Sequence, residues 1–367
     1  MPASTAALPP DPADWLPDLL RVPGISGHEA PVRAWLAERW APYAHDLVTT
    51  PLGSLVARRY GTGPEPRPRL LLAAHMDTIG FVVAHIDPAG FAALAPVGGL
   101  DLRLLPNQPV HLWPHDQGPP IYGVLRAWPR AFVPEAEPDR PLPLDALRVE
   151  TGLRPRALRR RVPVGTPVTF ARAPQVLGDD LLVGPGLDNR ASVAALTLAL
   201  MALAQREHAW DVDIVATVQE ETTLGGAATA AYGLRPTVAV AVDVTFARGP
   251  GVAEHQGHPL GEGVVLGMGA NIHPKVYAAL RATARAEDIP HHTEYLPAHS
   301  GTDAAALQVA REGVPTGLVS IPLRYMHTPV EMVALADIRR AARLLAAWAA
   351  TLTPDFAPGL TVWEDEG

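Results

Sequence analysis

The feature that most constrains this chain is a set of short apolar runs separated by helical stretches. Residues 69–75 (RLLLAAH), 212–218, 238–242 and 317–321 read as buried strands. Residues 189–204, 274–287, 302–312 and 335–351 carry helical apolar spacing. Such alternation predicts an α/β fold, with a mainly parallel sheet flanked by helices. Ahead of it, residues 14–21 and 28–43 read as helices, and 47–49 and 54–58 as short strands.

Between residues 78 and 178 the pattern changes. Short apolar runs at 81–86, 110–113, 122–125 and 168–170 alternate with Pro and Gly, and helical periodicity is scarce. This predicts a small all-β module whose Pro- and acid-rich middle, 128–147, is an extended loop. Residues 70–74 belong to the same sheet as the later strands, so the module is an insertion. The expected domains are a discontinuous α/β unit, 1–77 with 179–367, and an inserted β unit, 78–178.

Composition removes several classes of function. With 48% hydrophobic and 19% charged residues, the 367-residue chain is built for a packed core. A net charge of -8 and the lack of a basic cluster beyond Arg159, Arg160 and Arg161 argue against a nucleic-acid partner. No apolar run is long enough to span a bilayer. The start, MPASTAALPPDPADW, has neither a basic nor an apolar leader region, so a cytoplasmic protein is expected. There is no cysteine, so any metal must be held by His, Asp and Glu.

Those residue types recur where apolar runs end. His75 and Asp77 close LLLAAHMD, Glu220 and Glu221 close IVATVQEE, Asp243 closes VAVAVD, and His327 ends GLVSIPLRYMH, just past its apolar run. Asp188 stands just before the long helix. Ligands of open α/β sheets bind at the carboxyl ends of the strands, so these groups can converge. Taken singly, a strand-end His is more often structural and an Asp before a helix is usually an N-cap. Together, unneutralised carboxylates would repel one another, which calls for cations. Three carboxylates, two neutral imidazoles, two divalent ions and a hydroxide give a neutral site. Carboxylate and imidazole ligands suit Zn, Co or Mn, and paired hydrolytic ions sit ~3.5 to 4 Å apart. On a strand, Asp77 shares a face with His75 and can orient its ring. Adjacent Glu220 and Glu221 diverge in extended geometry, leaving one to bind metal and one to move a proton.

The stretches PGISGHE, HMDTIGFVV, GLDNRASVAAL, VATVQEETTLGGA, AVAVDVT and SGTDAAALQVAREGVPTGLVSIPLRYMHTPVE resemble the motifs of the TET-type (tetrahedral) glutamyl/leucyl aminopeptidases, a family of dinuclear metallopeptidases. The resemblance covers nearly the whole chain. It implies a zinc-peptidase-like catalytic domain with an inserted PDZ-like β-barrel used in assembly. It further implies that His75, Asp188 and Asp243 hold one ion, with zinc favoured over cobalt or manganese. Asp188, Glu221 and His327 would hold the other, with Glu220 as general base. Peptide substrates and a homo-dodecamer built from dimers complete the implication. Where many relatives have Asp-Asp-Arg, this chain has Asp188-Asn189-Arg190.

The implied reaction removes N-terminal residues from peptides, with a metal-activated water as nucleophile and Glu220 shuttling its proton. Alternatives are a dinuclear amidohydrolase of the deacylase or carboxypeptidase type and a non-catalytic peptide-binding homologue. Adjacent Glu220 and Glu221 do not suggest the separated carboxyl pair of a glycosidase. His291, His292 and His299 read as loop histidines, Thr302 and Asp303 as a helix cap, and Arg324 and Tyr325 as candidate pocket walls.

Overall fold

The computed structural model describes residues 10–116, 118–127 and 142–360. Most of the loop expected at 128–147 lies outside the described residues. Its end carries the short turn Leu144–Ala146.

The apolar runs form the middle of an 11-stranded sheet. Strands Asp211–Thr217, Arg69–His75, Val238–Phe246 and Thr316–Arg324 lie side by side in that order and run parallel. Asp211–Thr217 is buried along its whole length, as expected of a strand covered by helices on both faces. The hairpin Asp46–Thr49 with Leu55–Arg59 adds antiparallel strands at one side. Glu331–Ala334, Leu181–Gly184 and Gln175–Leu177 add them at the other. The expected parallel sheet is therefore found in the four central strands, and antiparallel flanks make the whole sheet mixed.

On one face the helix Leu187–Leu203 packs against Leu335–Thr351, with Pro274–Ala286 and Ala30–Trp40 beside them. Leu187–Leu203 is buried on every side, which suits a helix that is apolar all round. Leu70, Leu72, Leu196, Leu200, Leu344 and Leu345 are fully enclosed in this one core. Each such side chain contributes ~1.5 to 3 kcal/mol relative to exposure. Gly225–Leu234 and Asp303–Gln308 cover the other face.

Several strands are absent from the sequence expectation: the short Ala92–Val97, Arg148–Glu150, Gln175–Leu177, Leu181–Gly184 and Glu331–Ala334, and a pair beside the central sheet. Val264–Gly269 and His291–Leu296 pair in parallel, and the first joins Thr316–Arg324 antiparallel. His291 and His292 thus lie on a strand, not in a loop. Gly267 and Gly269 interrupt the apolar run of one strand, and HHTEYL is too polar to announce the other.

The inserted module is a closed antiparallel barrel. Its strands run in the order Gly80–Ile86, Ala92–Val97, Arg148–Glu150, Ile121–Arg126, Pro109–Leu112 and Pro167–Phe170. Inward residues form a separate core that includes Phe81, Val83, Leu112, Leu125 and Val168. Gln175–Leu177, inside the 78–178 span, pairs in the large sheet instead, so the last barrel strand ends at Phe170. No helix among the described residues is long and apolar enough to cross a membrane.

Candidate metal centre

Parallel register decides which side chains reach the carboxyl edge of the sheet. Thr217 lies level with His75. Ala241 pairs with Ala73, which places Asp243 two residues further on. Asp188 and Asn189 are non-helical although they fall inside Leu187–Leu203, so regular helix begins at Arg190. The Asp188 carboxylate consequently hangs over the sheet edge at a helix N-terminus, where negative charge is favoured. His327 adopts φ 60° in the turn between Thr316–Arg324 and Glu331–Ala334, which swings its ring back to the same edge.

The structure brings all five candidate ligands together. Asp188 stands between the two histidines: Oδ1 is 3.3 Å from His75 Nε2 and Oδ2 is 3.3 Å from His327 Nε2. Asp243 Oδ1 lies 3.8 Å from His75 Nε2. Glu221 Oε2 lies 3.4 Å from His327 Nε2. Two clusters result, His75, Asp188 and Asp243 in one and Asp188, Glu221 and His327 in the other. Within each, the ligand atoms lie within 4.8 Å of one another.

Glu220 and Glu221 are placed by a tight turn rather than by an extended strand. Gln219 is left-handed at φ 60° and opens the short helix Glu220–Thr223. The Asp77 carboxylate accepts the backbone N–H of Glu220 at 3.1 Å and of Glu221 at 3.2 Å. Glu29, from PGISGHE, accepts the N–H of Gln219 at 3.1 Å and of Gly27 at 2.7 Å. Three successive N–H groups are thus held by two buried carboxylates, an arrangement that suits the local concentration of peptide dipoles. The ring of His75 meets Asp77 through the backbone: Nδ1 is 3.1 Å from the Asp77 carbonyl and 3.7 Å from its carboxylate. The two glutamates still diverge, Glu220 Oε2 reaching 3.7 Å from His75 Nε2 and Glu221 turning toward His327.

Sequence reasoning missed two supports. Glu331, 1% exposed, accepts the N–H of Asp188 at 3.0 Å and of His327 at 3.1 Å, tying one member of each cluster to the other. The only trace in the sequence is an acid four residues after His327. The Gly98-Gly99 pair of the insert runs over the site: a Cβ on Gly99 would lie 3.1 Å from His327 Nδ1, and Gly98 has φ 77°. Asn189 donates to the Val242 carbonyl at 2.9 Å, so the amide in place of a carboxylate braces the helix start against the strand of Asp243. Thr302 caps its helix as expected, whereas Asp303 is buried and accepts from Thr217 Oγ1 at 2.5 Å. His299 lines the site cavity, together with Met326 and His327, and Arg324 and Tyr325 do not.

Burial of so much charge perturbs several of these groups. It pushes the Glu221 carboxyl up to about 10, with Asp188 adding to the rise, and Glu220 up to about 7 against the pull of His75. Burial also raises Asp303 to about 6 and carries Asp243 well above the ordinary range. For His75 burial opposes the charge but is outweighed by Glu220, Asp188 and Asp243, so its value rises well above normal. Asp188 is the exception: hydrogen bonds from both histidines overcome burial and lower it. Glu221 Oε1 is buried without a hydrogen-bond partner. An orphaned carboxylate oxygen beside imidazole nitrogens, with no thiolate, fits a divalent cation held by oxygen and nitrogen.

These shifts predict how the metal-free protein responds to pH. Glu220, Glu221 and Asp303 hold protons in the folded state that the unfolded chain releases above its ordinary carboxyl values near 4. Stability therefore falls as pH rises from about 5 toward about 10. His75 acts in the same direction, since its contribution is full below 6.5 and is lost as pH climbs through its raised value. The depressed Asp188 contributes at every pH above its ordinary range and is lost only in strong acid. Thermal midpoints of chelated protein are expected to drop between about pH 5.5 and 8.5, and added zinc to reverse the trend because ligands bind deprotonated. A chelated midpoint that rises over this range contradicts the account.

Comparison with known proteins places this geometry. Residues 53–344 match the M42 glutamyl aminopeptidase family. Lysyl aminopeptidase of Pyrococcus furiosus is 34% identical over 352 residues, covering 94% of this chain and 99% of the relative. Among solved structures, aminopeptidase APDkam598 of the archaeon Desulfurococcus kamchatkensis superposes with a TM-score of 0.88 at 32% identity, over 95% of this chain and 97% of that one. The Pyrococcus horikoshii TET1 peptidase, which can assemble into a tetrahedron or a large octahedral shell, superposes at 0.81 with 27% identity, over 93% and 99% of the two chains.

Proposed function

The chain belongs to the M42 glutamyl aminopeptidase family and is a metal-dependent aminopeptidase; from that premise we propose a dinuclear centre with Glu220 as the proton-transferring base. The observation that carries this reading is the Asp188 carboxylate, with one oxygen toward each histidine at 3.3 Å. His75, Asp188 and Asp243 would hold one ion, and Asp188, Glu221 and His327 the other. Bound divalent cations, zinc by preference and cobalt or manganese otherwise, supply Lewis acidity toward the scissile carbonyl and the attacking water.

The remaining work falls to side chains. Glu220 lines the cavity, and its carboxyl, pushed up to about 7, can take a proton from the attacking water and return it to the nitrogen of the leaving amine. Asp77 acts through the turn: by holding the N–H groups of Glu220 and Glu221 it fixes where base and ligand stand. The cavity wall carries carboxylates and neither lysine nor arginine. A protonated peptide N-terminus is therefore attracted, while an acylated one lacks that attraction.

A panel of aminoacyl anilides and their N-acetylated forms tests the reading. After chelation and restoration of zinc, cobalt or manganese, turnover is expected only with a free amine. Equal or faster cleavage of the acetylated forms would assign the chain to the deacylases. We further propose that residues 1–77 with 179–367, joined by the sheet strand Gln175–Leu177, form the catalytic unit and that the barrel inserted between them serves assembly into a homo-dodecamer built from dimers, in line with the shells of the TET1 peptidase. Native mass spectrometry should then find twelve chains, with a dimer as the dissociation product; a monomer at all concentrations opposes this.

A further inference from the structure

Besides Glu220, one acidic side chain in the site cavity belongs to neither metal cluster. Glu294 sits on the strand His291–Leu296 and lines the same cavity of about 490 Å³ as the candidate ligands. Its position is fixed from the strand that carries Asp243. Asp243 and Thr245 are two residues apart on Val238–Phe246 and share a face, ~6.5 Å apart along the strand. Thr245 Oγ1 donates to Glu294 Oε1 at 2.9 Å. No ion pair involves Glu294 among the described residues, and burial raises its carboxyl above the ordinary glutamate range. A cation is the partner this group lacks.

Phe246, Leu296 and Leu318 supply apolar lining to this cavity, alongside the polar Thr245, Ser300, Thr302 and Ser320. A lysyl or arginyl side chain matches such a lining, with methylenes against the apolar residues and a charged head at the carboxylate. The distance from the Asp243 level to the Thr245 level is about the length of such a stem. A glutamyl side chain would meet like charge, and a leucyl side chain would leave Glu294 without a counter-ion.

We propose that Glu294 ends the subsite for the substrate's N-terminal side chain and makes this enzyme select lysyl and arginyl N-termini. The proposal rests on the aminopeptidase reading, and its test separates the two. Lysyl, arginyl, leucyl and glutamyl anilides are compared on metal-loaded wild type, Glu294→Gln and Glu294→Lys. Calorimetric binding of lysinamide and leucinamide is measured on the same proteins. Glutamine keeps a carbonyl for the Thr245 hydroxyl, and unchanged thermal midpoints verify that the fold is retained.

Wild type is expected to favour lysyl and arginyl substrates. Glu294→Gln should reduce the lysyl-to-leucyl ratio of kcat/KM by about 10- to 100-fold, the loss typical of a charge-assisted contact, and the lysinamide-to-leucinamide affinity ratio likewise. Glu294→Lys should turn preference toward glutamyl substrates. Cleavage of anilides with a ratio that Glu294→Gln leaves unchanged, or a wild type that prefers leucyl or glutamyl substrates, overturns the subsite and leaves the aminopeptidase reading standing. Absence of all turnover with lysinamide still bound through Glu294 has the opposite meaning.

Discussion

Glu220→Gln is expected to lower kcat by roughly 100- to 10,000-fold, the range associated with a positioned general acid-base group, while the metal content stays at the wild-type level. The substitution keeps the size and the turn of the native residue and removes only the titratable carboxyl, because an amide cannot accept the proton as a carboxylate does. Glu220 reaches 3.7 Å from His75 Nε2, yet it joins neither cluster of candidate ligand atoms. Its N–H remains held by Asp77 whatever the side chain carries, so the backbone geometry should survive. The deficit should appear in kcat more than in KM, because the proton moves in the transition state and not on binding. A variant that turns over aminoacyl anilides at the wild-type rate would remove Glu220 from the role of base. Loss of metal along with activity would make it a ligand instead.

Much of this site is legible in the chain because it is built at strand ends. Each apolar run that stops at a charged residue marks a position on the carboxyl edge, and the parallel register brings His75 and Asp243 level there. The long helix after Asp188 is equally plain, since its residues are apolar on every side. What escapes are features that depend on the backbone alone. The left-handed Gln219 converts an apparent strand extension into a turn, so Asp77 meets two peptide N–H groups rather than the ring of His75. Glu29 and Glu331 act on backbone atoms more than a hundred residues away, and no spacing rule connects such partners. The strands Val264–Gly269 and His291–Leu296 are interrupted by glycine or rich in polar side chains, and only their pairing defines them. The approach of Gly98 and Gly99 to Glu221 and His327 depends on how the barrel is seated on the catalytic unit, a contact between segments far apart in sequence.

Asp188→Ala should have the broadest consequence, because this one carboxylate belongs to both clusters. Removing either Asp243 or Glu221 takes a donor from one cluster alone, whereas removing Asp188 takes one from each. Anilide turnover should vanish, and neither ion should be retained after exhaustive buffer exchange. The fold should persist, since Asp188 precedes the regular part of its helix and its backbone N–H can still donate to Glu331. Circular dichroism and hydrodynamic size therefore serve as controls for the comparison.

The number of metal ions per chain, measured by elemental analysis on zinc-loaded wild type and Asp188→Ala side by side, addresses the proposed dinuclear centre without reference to any substrate. Two ions per wild-type chain and none in the variant is the predicted outcome. One ion or fewer in the wild type, or two ions still held without the Asp188 carboxylate, would contradict it.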